Sequence, residues 1–222
     1  MYLKYEKTFR VVSPRIRIQG KFCLSRQEQN ALLTGRVEIT EKMDGANVGI
    51  IRSKQGWTLQ KRRGLADSIH PQFSFFWNWA RHNEPKITQL PIGHIVYGEL
   101  MYAKHNVHYD ELSSYFLVFD IWNGKEFLNH NKRMEIVEQI GFKHVPVLYY
   151  GYTETNSLDD FITVSNHSSS DMMEGMVIKN YRKQKRGKLV RAEFIKQLEE
   201  DEHWMNKPVI RNKLADTAHI YD

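Results

Sequence analysis

Short runs rich in Val, Ile, Leu, Tyr and Phe recur along the chain, each bounded by Gly, Asp or Asn, a pattern that predicts strands. The runs are Arg36–Glu41, Ala46–Ser53, Trp57–Lys61, His94–Met101, Tyr115–Trp122, Val145–Tyr150, Gly175–Lys179 and Lys188–Ala192. Other stretches carry helical spacing instead. "DSIHPQFSFFWNWARHN" predicts a helix with Pro71 near its first turn, where the missing N–H costs least. "HNKRMEIVEQIG" predicts a second, from an Asn cap region to a terminating Gly141. "SLDDFITVSN" opens on Ser157 as an N-cap, with Asp160 three residues on. Strands in pairs with helices between them predict an α+β fold with largely antiparallel sheets. There is no internal repeat or low-complexity hinge, so one domain over 1–222 is expected, with an N-terminal segment 1–35 and a short tail 197–222. "SNHSSSD" at 165–171 reads as a loop.

Composition changes this picture little. Of 222 residues, 41% are hydrophobic and 26% charged, ordinary values for a globular domain. No run approaches the roughly 18 apolar residues of a membrane span, and "MYLKYEKTFR" lacks the apolar core of a secretory signal. Cys23 stands alone, which excludes an internal disulfide and a zinc–thiolate constellation. A soluble, cytoplasmic protein is expected. The net charge of +6 makes a polyanion a reasonable partner. The clusters "LQKRRG" (59–64) and "NYRKQKRGKLVR" (180–191) are either phosphate-contacting loops or solvated ones, and acidic residues gather in "QLEEDEHW".

One stretch, "VEITEKMDGANVGIIR", places Lys42 between a strand and an Asp44-Gly45 turn. Gly45 is expected to take a backbone conformation closed to other residues, so presenting Lys42 at a strand mouth. An amine is a good nucleophile only when neutral, and its ordinary pKa is about 10.4, so cations or burial must depress it. By itself Lys42 is equally an ordinary surface charge.

The segments that follow change this. "KRRG" (61–64), "VYGEL" (96–100), "YFLVFDIW" (115–122), "EGMVIKN" (174–180) and "KLVRAEF" (188–194) succeed Lys42 in order. Together they resemble motifs I, Ia, III, IIIa, IV and V of the covalent nucleotidyltransferases, the superfamily of ATP-dependent DNA and RNA ligases and mRNA capping enzymes. The resemblance spans about 36–196. Within the superfamily, "EKMDGAN", "GELMYAKHNVHYDELSSYFLVFDIW" and "EGMVIK" are most similar to RNA ligases of the nick-sealing type.

The resemblance implies an adenylation domain of ATP-grasp-like ligase type, with two mostly antiparallel sheets, flanking helices and no OB domain. It implies ATP and Mg²⁺ or Mn²⁺ as cofactors, and RNA, as nicked duplex or ends, as partner, with DNA as an alternative. It implies that Lys42 attacks the α-phosphate of ATP to form a lysine–AMP, and that Lys188 contacts that phosphate. Glu174 matches a carboxylate that holds the metal or orients the lysine, a hard oxygen ligand suited to these ions. Glu99 matches the ribose contact, and Phe119 the aromatic that stacks on adenine. Alternation puts Phe119 on one strand face with Leu117 and Ile121, opposite Val118 and Asp120, though an aromatic there serves a core equally well. Arg62 matches a ribose or phosphate contact, with Arg63 its alternative. Glu41, Asn47 and Lys179 complete the expected nucleotide set. His105 and His108 are read as part of a loop shaping the nucleotide pocket or as structural, and His203 and Trp204 as packing of the C-terminal segment.

Two features depart from the family pattern. Motif V usually carries K-x-K, but Val190 stands two after Lys188. Either Arg186 and Lys188 form the same-face pair, or Arg191 reaches in through a bulge. Second, 26 residues after Lys196 are too few for an OB barrel. That predicts a near-minimal RNA-type ligase, with end binding weak or supplied by an accessory protein.

Overall fold

A computed structural model of the chain describes residues 2–14, 22–153, 155–200 and 208–222. His203 and Trp204 lie outside the described residues. The elements begin with β1 (Phe9–Arg10), α1 (Arg26–Leu33), β2 (Arg36–Glu41), β3 (Ala46–Ser53), β4 (Gly56–Lys61) and β5 (Gly64–Leu65). Next come α2 (Pro71–His82), α3 (Glu84–Ile87), β6 (Ile95–Leu100), β7 (Phe116–Trp122) and α4 (His130–Gln139). Last are β8 (Lys143–His144), β9 (Val147–Tyr152), a 3₁₀ helix (Thr155–Phe161), β10 (Gly175–Asn180), β11 (Lys185–Val190) and α5 (Ala192–Glu200). Among the described residues, no helix is long and apolar enough to cross a membrane. The expected α+β class, with two mostly antiparallel sheets and flanking helices, is what the chain forms.

Backbone proximity divides the chain into two compact units. One comprises Met1–Glu6, Asp44–Val145 and Val209–Asp222; the other comprises Lys7–Met43 and Pro146–Pro208. A crossing from one to the other falls between Met43 and Asp44, inside the K-x-D-G turn.

The first unit is built on a six-stranded sheet in the order β5-β4-β3-β6-β7-β8, antiparallel except for β7 and β8. Phe76 and Trp79 of α2 pack their rings 5.3 and 5.0 Å from Phe116 of β7. The helix starts as expected, with Pro71 in its first turn and the His70 side chain accepting the Gln72 amide. The opposite sheet face carries Ile51, Ile95, Tyr97 and Phe127, packed by Leu3 and Tyr5. The Leu3 carbonyl accepts from Gln60 Nε2 and the Tyr97 hydroxyl, both at 2.8 Å. α4 ends before Gly141, whose φ of +67° makes it the expected terminator.

The second unit has a five-stranded sheet in the order β1-β11-β10-β2-β9. Val37, Ile39, Met176, Ile178 and Leu189 form one apolar face, closed by Leu32 of α1, Val11 and Leu158. Strand alternation then sends Glu38, Thr40, Lys179, Arg186 and Lys188 to the other face.

Several elements differ from expectation. The last strand runs Lys185–Val190 and not to Ala192, which starts α5. A tight turn at 181–184 explains this: Asn180 Oδ1 accepts the Lys183 amide, and Gln184 adopts a φ of +51°. The cluster at 180–191 is therefore mostly strand, its charges held in a ladder. Ser157 caps no α-helix; it sits within the 3₁₀ segment, with its hydroxyl 3.0 Å from that of Thr153. α1 was legible but unread: Ser25 and Glu28 form a reciprocal capping box.

Candidate active site

Lys42 directly follows β2. Its amide donates to the Gly175 carbonyl at 2.9 Å, which prolongs the ladder with β10 by one rung. Its Nζ lies 2.6 Å from Glu174 Oε2, and the side chains are 23% and 7% exposed, so the pair is shielded yet reachable. Glu174 is fixed from behind, since its carbonyl accepts the Arg191 amide at 3.1 Å. A Cβ on Gly175 would lie 2.1 Å from the Leu189 carbonyl oxygen. Only glycine lets β11 pass this close to Glu174.

Glu41, which precedes the lysine, is 1% exposed. Its carboxylate accepts from the Ser165 hydroxyl, and from the Asn166 amide and Nδ2 at 3.1 and 3.2 Å. The loop at 165–171 is thus a clamp on the residue beside Lys42. Nothing in its Ser-rich sequence signals that.

Lys179 is buried next to Glu38, with Nζ 3.8 Å from Oε1, and the Tyr181 hydroxyl donates to the same oxygen at 3.2 Å. Register sets Arg186 beside Lys179, Lys188 beside Val177 and Arg10 beside Lys188. The two candidates for the second cation of motif V differ in placement. The β10–β11 register is continuous, so Arg186 and Lys188 share a face. Arg191 turns away, donating from Nε to the Met173 carbonyl and from Nη2 to that of Met172 at 3.4 Å.

The remaining candidates lie in the first unit. Asn47 pairs with Glu99 across β3 and β6, on the sheet face that also carries Tyr97. The β6–β7 register shifts between Tyr97 and Gly98, so that Tyr97 pairs with Asp120 and Glu99 with Leu117. The register steps over Phe119, and the expectation that Phe119 and Leu117 share a face with Ile121 fails. Ile121 pairs with Val96 on the opposite face, whereas Asp120 joins Leu117. A bulge adds one residue and inverts the alternation beyond it, a change that no period-2 pattern reveals. Phe119 is half-buried in the cluster of Tyr97 and Phe127, with the Tyr5 ring edge-on at 5.0 Å. The Tyr5 hydroxyl donates to Asp120. Arg62 and Arg63 are both exposed in the β4–β5 turn, and the Arg62 carbonyl accepts the Tyr2 hydroxyl at 2.9 Å.

The Asp-Gly turn has a reason other than the one expected. Gly45 is not among the glycines with positive φ. Its Cβ would instead meet the Leu100 carbonyl oxygen at 2.6 Å and the Met101 sulfur at 2.8 Å. Close approach to β6, not backbone conformation, excludes a side chain. Asp44 Oδ2 accepts the Asn106 and Val107 amides at 2.7 and 2.9 Å. His105 is buried, with Nδ1 4.0 Å from Asp44 Oδ1. Among the described residues, no group of three or more His, Cys, Asp or Glu is placed to hold a metal ion.

A family model described as RNA ligase matches residues 35–192. The chain belongs to the RNA ligase family. No curated relative matches the sequence. Among solved structures, a Naegleria gruberi RNA ligase variant bound to ATP and Mn is similar at 18% identity and a TM-score of 0.65. That match covers 78% of this chain and 54% of the other. A second variant of the same ligase, with AMP and Mn, has a TM-score of 0.69 at 18% identity, covering 90% of this chain and 59% of the other. The chain therefore spans a little over half the length of these ligases, and at such identity the likeness is one of fold.

Membership in the RNA ligase family gives the Lys42–Glu174 contact its context. One carboxylate is too little for an all-protein metal cage. It does fit Mg²⁺ or Mn²⁺, which use one or two carboxylates and draw their remaining oxygens from substrate phosphates and water. Glu174 is the carboxylate that could take such a place.

Proposed function

We propose that this chain is the adenylating domain of an ATP-dependent RNA ligase that joins 5′-phosphate and 3′-hydroxyl ends. The observation that carries the reading is the 2.6 Å contact between Lys42 Nζ and Glu174, on a sheet whose polar face also carries Arg186 and Lys188. Phosphoryl transfer needs positioning and charge stabilisation more than covalent help from the protein. Glu174 fixes the direction of the amine and is the hydrogen-bonded acceptor for the proton that Nζ must lose. Nζ then bonds to the α-phosphorus as the bond to pyrophosphate breaks. A divalent ion held at Glu174 would supply charge neutralisation at the phosphates.

Lys188 and Arg186 attract the phosphate oxygens, while Lys179, adjacent to Arg186 across the ladder, is held by Glu38. The family resemblance implies that Phe119 stacks on adenine, that Glu99 contacts the ribose and that Asn47 is a polar contact to the reacting phosphate. Glu41 is committed to its loop and supports the strand end. Two transfers complete the cycle. An RNA 5′-phosphate oxygen displaces Lys42 from AMP, restoring the amine, and a 3′-hydroxyl then attacks that 5′-phosphate and expels AMP.

The test is incubation with α-labelled ATP or GTP and Mg²⁺ or Mn²⁺, then denaturing electrophoresis. An acid-labile AMP adduct that is absent from folded Lys42→Ala is expected. An adduct retained by that variant removes Lys42 from the reaction. Sealing of nicked all-RNA, hybrid and all-DNA duplexes then identifies the strands joined.

A further inference from the structure

The turn after Lys42 is held by a part of the chain more than 160 residues away in sequence, all of it within the first unit. The Asp44 amide donates to the Tyr109 hydroxyl at 2.8 Å, while the Asp44 carboxylate caps the amides of Asn106 and Val107. Tyr109 is fully buried, and its own main chain is gripped in turn. Its amide donates to Asn212 Oδ1 at 3.2 Å, and its carbonyl accepts the Lys213 amide at 2.9 Å.

Asn212 is 1% exposed and uses both ends of its amide. Nδ2 donates to the Met101 carbonyl at 2.8 Å and to that of Ala103 at 3.4 Å. Its main-chain carbonyl accepts the Tyr115 hydroxyl at 2.8 Å. Burial raises the Tyr115 pKa, which keeps the phenol protonated as donor. Further along, Asn83 Nδ2 donates to the Tyr221 carbonyl at 2.8 Å, and the Tyr221 ring stacks on His82 at 4.0 Å. The described part of the expected tail, 208–222, is thus anchored at Asn212 and at Tyr221. A primary amide matches this site because one carbonyl lone pair and two N–H donors are needed at once.

We infer that Asn212 and Tyr109 are positioning residues for lysine adenylation. They fix the Asp44 amide, and so the path of the chain where it leaves Lys42, without touching nucleotide. The inference rests on the proposed function. A nucleophile displaced by a fraction of an ångström loses rate without losing substrate affinity.

The test measures single-turnover AMP-adduct formation across ATP concentrations for wild type, Tyr109→Phe and Asn212→Ala, with thermal unfolding in parallel. Tyr109→Phe keeps the ring and removes only the hydroxyl. It is expected to react about 10-fold more slowly at saturating ATP, with the concentration for half-maximal rate within twofold of wild type. Asn212→Ala should be slower still, with Asn212→Asp, which keeps the acceptor for the Tyr109 amide, between it and wild type. A wild-type rate in folded Tyr109→Phe overturns the inference. So does a loss that disappears on normalising to the folded fraction, since that marks a purely structural role. Absence of any adduct from the wild type would remove the proposed function and this inference together, whereas an active wild type with unaffected variants removes this inference alone.

Discussion

The two sheets carry their polar groups in opposite ways. In the second unit, charges on the non-core face come in pairs or rows: Lys42 against Glu174, Lys179 against Glu38, Arg186 and Lys188 along β11. In the first unit, the sheet face of Tyr97 is aromatic, with the carboxylates of Glu99 and Asp120 among the rings. Tyr97, Phe119 and Tyr5 pack there, Asn47 lies opposite Glu99, and Asp120 is tied to a phenol. A buried charge needs a partner, because leaving water costs it several kcal/mol. The second sheet thus concentrates cations by interleaving carboxylates, which suits phosphate chemistry. The first sheet instead sets its carboxylates among aromatic rings and ties Asp120 to a phenol.

The largest effect that would break this comparison is at Glu174. Glu174→Gln should slow AMP-adduct formation about 10³-fold, measured in single turnover at saturating ATP and metal. A loss under tenfold would mean that the carboxylate is packing and not chemistry. Next is stability. Lys179→Met leaves Glu38 buried against only its remaining hydrogen bonds and should cost about 3 kcal/mol in urea unfolding. The double variant with Glu38→Leu should recover part of it. If the single and double changes cost the same, the pair is not a coupled unit.

Phe119→Ala sharpens the contrast from the other sheet. Loss of a base–aromatic stack should raise the KM for ATP about 10-fold while the saturated rate changes less. A pure loss of rate at unchanged KM would instead assign Phe119 to the core cluster alone. The smallest effect concerns His94, directly before β6. Burial holds its pKa below the ordinary value, outweighing hydrogen bonds to the main chain of Ile92 and Pro91. The unfolded chain therefore binds more protons than the folded one once the pH drops below about 6.5. Stability should fall as the pH falls from there through the folded pKa, then level off. Melting curves from pH 7.5 to 5 should show this slope in wild type and a shallower one in His94→Gln.

Motif order and strand alternation, both local, made much of this protein legible in advance. Arg36–Glu41 and Ala46–Ser53 are strands at the bounds their patterning predicts, and Pro71 and Gly141 delimit helices as their backbone chemistry requires. The run from Lys42 to Lys188 indicated the family because it keeps both residue type and order. What was missed depends on residues meeting across the chain. Ile121 was set on the wrong face because a bulge depends on β6 as well as β7. Lys185 and Arg186 fall outside the strand that patterning predicts from Lys188, because only pairing with β10 extends it to them. Gly45 was assigned a turn conformation when its real constraint is the Leu100 carbonyl, 55 residues on. Ser165 and Asn166 read as part of a loop, and nothing local shows that they close on Glu41.

By itself, then, the sequence determined the class of fold, most strand and helix positions, and a family whose motifs are local in the chain. Tertiary structure alone decided which cation faces with Lys188, what holds Glu41 and Glu174, and why the turn after Lys42 needs aspartate and glycine. The physical reason is the same in each case. Periodicity reports which face of one element is apolar, whereas hydrogen bonds, ion pairs and close approaches depend on two elements at once, and their partners carry no mark in either stretch of sequence.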